Sequence, residues 1–199
     1  MKVCLVCFQY WQLRFIHFQF GKTSDGTKTI AFVDSQYANQ TSGNYFTMNT
    51  TNTNSGGWAS SRMRTTLMPQ FKAAMPSEWR DIISPCTKYS DNTGGGSDTA
   101  SYVTSTTDDI FLLAEYEVHG TRAYANSKEK DYQQQYSYYA NGNSKIFYKY
   151  NDTSTACRWW LRSVNATAAS SFCCVNTDGS AGTNGANASY GLASGFKVA

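Results

Sequence analysis

The sequence is poor in charged residues, in histidine and in proline, and each shortage excludes a class of protein. Asp, Glu, Lys and Arg make up only 16% of the 199 residues, against about a quarter in an average soluble domain. Aromatic residues reach 15%, so the low charge does not indicate disorder. The 3 prolines exclude a proline-rich linker. Uncharged polar residues must therefore solvate the surface.

The chain also lacks the charge and the long apolar runs that other classes need. Its net charge is +3 and its basic residues are scattered, which does not favour nucleic-acid binding. No segment approaches the roughly 18 apolar residues of a membrane span. Residues 1–8 resemble a signal peptide only faintly, because no small-residue cleavage site follows. The length predicts a single domain over residues 1–199.

The most unusual shortage is confined to the C-terminal part of the chain. Residues 163–196 contain no Glu, Lys, Gln, Met, Trp or Arg. The first five of these types supply 32 of the first 162 residues. At that rate about seven would occur in the segment, so the bias exceeds ordinary compositional scatter.

The six cysteines do not form a convincing metal or disulfide pattern. Cys4 and Cys7 have the spacing of half a zinc site, but a strand over residues 3–8 would point them to opposite faces. The neighbours Cys173 and Cys174 diverge for the same reason, and no second spaced Cys/His pair exists. We therefore expect small buried hydrophobic side chains, without a metal or another cofactor.

Periodicity predicts an α+β fold with short antiparallel strands, two or three helices and long loops. A hairpin is predicted over residues 13–20 and 29–33, around a turn at Asp25-Gly26. The expected helices cover residues 58–67, 69–75 and 128–139, the last with an aromatic face of Tyr132, Tyr136 and Tyr139. The other expected strands cover residues 146–148, 159–161, 172–175 and 192–198. Residues 110–113 are predicted to form a buried strand or the entry to a turn, and residues 89–101 a loop.

Common catalytic motifs are missing. Neither of the two histidines lies in a zinc-binding pattern, and no nucleophile elbow or phosphate-binding loop occurs. Glu115, Glu117 and His119 alternate, so they would share one face of a strand, where paired carboxylates can perform acid–base chemistry. A solvated strand face, or a turn anchored to backbone donors, is the favoured interpretation.

Two other polar motifs have mainly structural interpretations. Asp108 and Asp109 follow two threonines and predict a turn or a helix cap. Arg162 follows Trp159 and Trp160, which we expect to anchor two packing layers on opposite sides of a strand. Arg162 itself is expected to form a buried charge-assisted pair with a carboxylate such as Glu115 or Glu117.

Three stretches together resemble a known family: residues 48–58 (MNTTNTNSGGW), 109–120 (DIFLLAEYEVHG) and 158–163 (RWWLRS). They are similar to bacterial and phage domains of C-type-lectin-like fold, which are related in fold to formylglycine-generating enzymes. Many such domains are the target proteins of diversity-generating retroelements. The resemblance extends from about residue 13 onward. Residues 191–196 (GLASGF) depart from the G-V-R-P-A-F-like strand that closes many relatives, and the first twenty residues match poorly.

The resemblance explains the composition of residues 163–196. Such retroelements misread adenines of a template RNA, and substitutions in an AAC or AAT codon for Asn never produce Glu, Lys, Gln, Met or Trp. The resemblance thus implies a scaffold over residues 1–162 and a variable region over residues 163–196. The positions expected to vary and to form a solvent-facing ligand-binding surface are Ser171, Cys174, Thr177, Asp178, Ser180, Gly182, Thr183, Asn184, Gly185, Asn187, Ala188 and Tyr190.

The remaining positions of this segment follow from the same reasoning. Asn176 fits either group. The expected fixed framework positions are Phe172, Cys173, Val175, Gly179, Ala181, Ala186, Ser189 and Gly191.

The resemblance implies a non-enzymatic receptor-recognition protein, displayed on a phage virion or a bacterial surface. Its partner would be an unknown protein or cell-surface ligand, and the oligomeric state stays open. Asp178 is the only acidic residue after Asp152, which disfavours a calcium site in the variable region. Two alternatives remain: an enzyme of the formylglycine-generating type, which needs cysteine pairs in a groove, and an adhesin subunit with an invariant loop.

Overall fold

The computed structural model describes residues 14–22, 28–35, 46–75, 77–149 and 152–198. The predicted strand over residues 3–8, with Cys4 and Cys7, lies outside the described residues. Strands predominate, a composition compatible with the predicted α+β class. The described residues form five short α-helices rather than the two or three expected, because two of them lie outside the predicted helical segments.

The strands are β1 (Arg14–Lys22), β2 (Lys28–Ser35), β3 (Ile83–Ser84), β4 (Cys86–Asp91), β5 (Val103–Asp108), β6 (Ile110–Leu112), β7 (Phe147–Lys149), β8 (Asp152–Cys157), β9 (Trp159–Val164), β10 (Ser171–Val175), β11 (Ala181–Gly185) and β12 (Gly191–Val198). The α-helices are α1 (Gly57–Ser60), α2 (Met68–Ala74), α3 (Ser77–Arg80), α4 (Glu115–His119) and α5 (Ser137–Ala140). A π-helical turn covers Met63–Leu67, and 3₁₀ turns cover Ala100–Tyr102 and Glu129–Asp131.

One large sheet organises the fold. Its strand order is β1-β2-β12-β9-β10-β11, and β3 and β6 also pair with β12. The pairing is antiparallel except between β12 and β9, which run parallel. β12 approaches β6 closely because Gly195 has no side chain: a Cβ there would lie 2.7 Å from the Phe111 ring. Thus β12 joins the N-terminal hairpin to the strands that carry the C-terminal segment.

Buried aromatic residues hold the sheet on both faces. Trp159 and Trp160 are fully buried neighbours on β9, so their side chains point to opposite faces. Trp159 stacks on Phe147 with the ring centroids 4.6 Å apart, whereas Trp160 packs against Tyr190 at 4.7 Å. Their burial and their different partners confirm the prediction that they anchor two packing layers.

Many of the predicted elements are confirmed. β1 and β2 form the expected antiparallel hairpin, and α2 carries Pro69 in its first turn as predicted. The predicted helix over residues 58–67 is interrupted, because Ser61 is extended and its hydroxyl donates to the Trp58 carbonyl at 2.9 Å. Its predicted inner face is nevertheless right, since Trp58, Met63 and Leu67 are buried.

Two expectations about local structure are wrong. Residues 128–139 do not form one amphipathic helix: the 3₁₀ turn at Glu129–Asp131 and α5 are separate, and Tyr132 is 42% exposed while Tyr136 and Tyr139 are buried. The physical reason is Glu129, whose buried carboxylate accepts the Asp91 backbone N–H at 2.9 Å and pulls this segment against β4. Glu115–His119 is a helix rather than a strand and ends at Gly120, with φ of 70°.

The predicted loop over residues 89–101 starts too early. Its first residues complete β4. This strand pairs with β5 without a register shift: Cys86 lies opposite Asp108 at one end, and Asp91 lies opposite Val103 at the other. The loop itself therefore begins after Asp91 and is followed by the 3₁₀ turn at Ala100–Tyr102.

Candidate ligand-binding surface

The segment expected to vary forms a hairpin at the edge of the large sheet. β10 lies between β9 and β11, and β11 ends the strand order. The pairs Ser171–Gly185 and Val175–Ala181 set the register of the hairpin. Buried hydrophobic residues of β10 thus hold β11 and the connecting turn against the body of the protein.

The turn between β10 and β11 satisfies its own polar groups. The Asn176 backbone N–H donates to the Ser180 carbonyl at 2.8 Å. The Asp178 carboxylate accepts the backbone N–H of Ser180 at 2.9 Å and its hydroxyl at 2.6 Å. Gly179 has φ of 83°, which a residue with a side chain adopts only with strain. Internal hydrogen bonds therefore define the conformation of the turn, and the side chains of Thr177, Asp178 and Ser180 are exposed.

Burial divides the framework positions from most of the variable ones. Of the expected framework positions, Phe172, Cys173, Val175, Ala186 and Gly191 are buried, and Gly179, Ala181 and Ser189 are half-buried. Of the expected variable positions, Thr177, Asp178, Ser180 and Asn187 are exposed, and Ser171, Thr183, Asn184, Gly185, Ala188 and Tyr190 are half-buried. Four of the twelve expected positions are therefore exposed, six are half-buried and two are buried.

Cys174 and Gly182 are corrections to this surface, because both are buried. Cys174 pairs with Trp160 on one side and with Gly182 on the other, inside the sheet. A Cβ on Gly182 would lie 2.6 Å from the Asn176 amide oxygen, so the Asn176 side chain covers this position. The expectation that positions 174 and 182 face solvent is therefore wrong.

Tyr190 is the centre of a polar and aromatic cluster on this surface. Its hydroxyl accepts hydrogen bonds from the Arg158 guanidinium, at 2.9 Å, and from the Asn184 amide. Its ring lies 5.6 Å from the Arg158 guanidinium carbon and packs on Trp160. The cluster combines an aromatic face, a positive charge and amide groups, which together suit a protein or carbohydrate surface.

Arg158 is a surface residue that sequence reasoning missed. It lies between β8 and β9 with its side chain exposed, and the hydrogen bond with Tyr190 raises its pKa. The sequence feature that could have indicated its exposure is its position directly before the buried Trp159-Trp160 pair, at the start of a strand. Arg158 thus places a positive charge beside Tyr190, one of the positions expected to vary.

A second scaffold segment borders the surface. The Asn49 backbone N–H donates to the Ala186 carbonyl at 2.9 Å, and Tyr190 N–H donates to the Phe46 carbonyl at 3.3 Å. The Asn52 side chain occupies the space that a Cβ on Gly185 would need. A larger residue at position 185 therefore requires the exposed Asn52 side chain to move.

The candidate acid–base residues have structural roles. Glu115 accepts the backbone N–H groups of Ala123 and Tyr124 at 3.0 Å and of Ala125 at 2.8 Å. The anchored turn was therefore the correct alternative for Glu115. His119 lies at the end of α4, and burial lowers its pKa to about 4, with a smaller contribution from the Lys145 charge.

Glu117 forms the predicted buried pair with Arg162. The two oxygens of Glu117 accept from Arg162 at 2.6 and 2.9 Å, and Lys88 donates to one of them at 3.1 Å. Burial alone would raise the pKa of Glu117, but the charges of Arg162 and Lys88 outweigh it and lower the pKa to about 2. The charge-assisted pair expected from the sequence is confirmed.

The predicted turn is confirmed at Asp109, which lies at the bend between β5 and β6, whereas neither Asp108 nor Asp109 caps a helix. Asp108 ends β5 and accepts the Trp58 indole N–H at 3.0 Å, the Thr106 hydroxyl at 2.6 Å and the Arg64 guanidinium at 2.6 Å. Asp109 instead forms an ion pair with Lys72 at 2.7 Å. Asp108 thus fixes Trp58 in the core, which sequence spacing alone could not reveal.

The cysteines of the hairpin are unreactive. Burial raises the pKa of the Cys174 thiol to about 12 and that of Cys173 well above its usual value. Both thiols are therefore protonated at neutral pH. Among the residues that the structure describes, no group of three or more His, Cys, Asp and Glu side chains could hold a metal ion.

The fold and this surface define a mixed domain in which a central sheet supports an edge hairpin with exposed, short polar side chains. The chain belongs to the family described as "Domain of unknown function (DUF6273)", whose match covers residues 28–198. The matched region begins with β2 and ends with β12. No curated protein and no solved structure matches the chain. In the described part of the chain, no helix has the length and apolar character needed to cross a membrane.

Proposed function

We propose that this chain is a receptor-recognition protein of C-type-lectin-like fold whose C-terminal surface is diversified by adenine-directed mutagenesis. The main support for this proposal is the absence of Glu, Lys, Gln, Met and Trp from residues 163–196. These are the five residue types that mutated Asn codons AAC and AAT cannot encode. A phage virion or a bacterial surface is the proposed place of display.

The burial pattern supports the proposal. Five of the eight framework positions are buried, against two of the twelve variable positions. Exposed side chains change at little cost in stability, because they make few packing contacts. A protein that is diversified repeatedly needs this separation between the residues that fold it and the residues that bind.

The chemistry of the surface supports binding rather than catalysis. Tyr190 offers a rigid amphipathic contact, and Asn184, Thr183, Asp178 and Asn187 offer adaptable hydrogen-bonding groups. The alternative of a formylglycine-generating enzyme needs cysteine pairs placed in a groove. Cys173 and Cys174 are buried with raised pKa values, which argues against that alternative.

The mutagenic origin of the surface has a direct genetic test. We expect a near-copy of the coding sequence for residues 163–196 close to the gene, together with a reverse transcriptase gene. The copy should encode Asn at the variable positions and should differ from the gene at adenines only. Sequencing the locus checks this. A locus without a copy, or with mismatches at other bases, contradicts diversification and favours the invariant adhesin.

The tolerance of the surface has a biophysical test. Thr177→Tyr and Asn187→Tyr introduce a residue that an Asn codon can produce, at two exposed positions. We expect each to change the free energy of unfolding by at most about 0.5 kcal/mol. The control is Val175→Thr, which buries a hydroxyl at a framework position and should cost about 1–3 kcal/mol. Urea unfolding measures all three, and equal losses at the three positions contradict the separation.

A further inference from the structure

A cleft lies far from the hairpin, beside α2 and the start of β6. Its volume is about 810 Å³, within the range of about 300–1,000 Å³ that small-molecule sites occupy. It is lined in part by Ile110, which pairs with Phe196 near the end of β12, whereas the start of β12 pairs with Trp159 beside the hairpin. The cleft is therefore separate from the proposed recognition surface.

The charges that line the cleft are unequal. Arg64, Lys72 and Arg80 face two carboxylates, Asp108 and Asp109. Each nitrogen of the Arg64 guanidinium has a partner: it donates to Asp108 at 2.6 Å, to the Ala59 carbonyl at 3.0 Å and to the Thr107 carbonyl at 3.3 Å. One positive charge is thus left over in the cleft.

The surplus charge belongs to the pair formed by Lys72 and Arg80. Lys72 is bound to Asp109 at 2.7 Å, but both side chains remain accessible, at 28% and 42% of their surface. Arg80 is exposed at the end of α3, and no carboxylate among the described residues forms an ion pair with it. An exposed pair such as Lys72–Asp109 contributes little to stability, so a ligand anion can compete for Lys72.

Part of the cleft lining is apolar. Pro69 and Pro85 are exposed there, and Met68 and Ile110, each 3% exposed, lie beneath the surface. The exposed apolar surface gains from contact with an apolar group, because that surface is then removed from water. A ligand that fits therefore carries both one negative charge and an apolar body.

We propose that this cleft binds a small organic carboxylate with an apolar tail. Arg80 and Lys72 donate to the carboxylate, and Pro69 and Pro85 contact the tail. Asp109 competes with the ligand for Lys72 and so weakens binding. The proposal is independent of the diversified surface, because none of these residues lies within residues 163–196.

Isothermal titration calorimetry with octanoate tests the proposal, with 1-octanol and inorganic phosphate as probes for the tail and the charge alone. We expect octanoate to bind at least about tenfold more tightly than either probe, since it alone satisfies both parts of the cleft. Arg80→Gln should weaken octanoate binding by about tenfold, the effect of losing one charge-assisted contact. The control Lys130→Gln, at an exposed residue outside the cleft, should leave it unchanged.

A gain of binding provides the second arm. Asp109→Asn frees Lys72 and should tighten octanoate binding by about three- to fivefold. Misfolding cannot produce a gain, so this arm separates ligand contact from damage to the fold. The proposal is overturned if octanoate does not bind at millimolar concentration, if 1-octanol or phosphate binds as tightly, or if Arg80→Gln and Asp109→Asn both leave the affinity unchanged.

Discussion

Replacing Glu117 by Gln should cost about 3–5 kcal/mol of stability, the usual loss when one partner of a buried ion pair is removed. Gln has nearly the same shape as Glu, so the loss does not arise from a cavity. Two buried cations, Lys88 and Arg162, would be left facing a neutral amide. Arg162 is fully buried, and neither cation can turn to solvent.

Urea unfolding at pH 7 measures this loss, and Glu78→Gln is the matched control because Glu78 is exposed on α3. The control should change the free energy of unfolding by no more than about 0.5 kcal/mol. A loss below about 1 kcal/mol in Glu117→Gln would contradict the prediction. It would mean that the dehydration of the charges cancels their attraction.

The same variant should alter the stability at acid pH. The folded pKa of Glu117, about 2, lies below its ordinary value of 4.5. Its contribution is therefore present above pH 4.5 and is lost as the pH falls towards 2. Glu117→Gln lacks this ionisation, so its stability should fall less steeply than that of the parent protein over this interval.

The strands of the fold were predictable where the hydrophobic signal was strong. The run Trp159-Trp160-Leu161 predicts a strand, and Ile110-Phe111-Leu112 predicts a buried strand or the entry to a turn. Both runs form buried strands in the core. β4, β5 and β11 were missed because their sequences, such as AGTNG in β11, are largely polar. Tertiary pairing, rather than local propensity, decides the structure of such segments.

The errors in the site have a similar origin. Cys174 was expected at the surface because Cys is one of the residue types that a mutated Asn codon can encode. The residue type does not reveal which face of a strand is covered by other parts of the protein. β10 has a neighbouring strand on each side and is packed on both faces, so Cys174 is buried. Arg158 was missed because its role depends on Tyr190, which lies 32 residues away in sequence.

Glu129 marks the boundary between the scaffold and the segment expected to vary. Its buried carboxylate accepts the hydroxyl of Ser163, the first residue of that segment, at 2.6 Å. It also accepts the Gln133 amide at 3.0 Å and the Asp91 backbone N–H. These donors are neutral, and the structure shows no ion pair at Glu129 within the residues it describes.

Burial therefore dominates the ionisation of Glu129 and raises its pKa to about 7, although its hydrogen bonds act in the opposite direction. A folded pKa above the ordinary value of 4.5 means that the folded protein holds this proton more tightly than the unfolded chain does. The resulting stability is complete below pH 4.5 and is lost as the pH rises to about 7. At about 1.4 kcal/mol for each pH unit, the loss amounts to roughly 3 kcal/mol.

Glu129→Gln removes this titration. The free energy of unfolding of the parent protein minus that of the variant should therefore fall by up to about 3 kcal/mol between pH 4.5 and pH 7.5. Urea unfolding across this interval measures the difference, in which the contributions of His119 and Glu117 cancel because both proteins share them. The Glu78→Gln protein is the control, and its curve should run parallel to that of the parent protein.

Any fixed cost of the substitution does not affect this comparison, because it shifts the variant's curve equally at every pH. Such a cost arises if the new amide faces the Gln133 amide, whose buried oxygen has no hydrogen-bond partner in the described structure and can turn towards it. Parallel curves for the parent protein and Glu129→Gln would contradict the raised pKa. A difference between parent and variant that falls as the pH rises would instead support a folded state that is most stable when Glu129 is protonated.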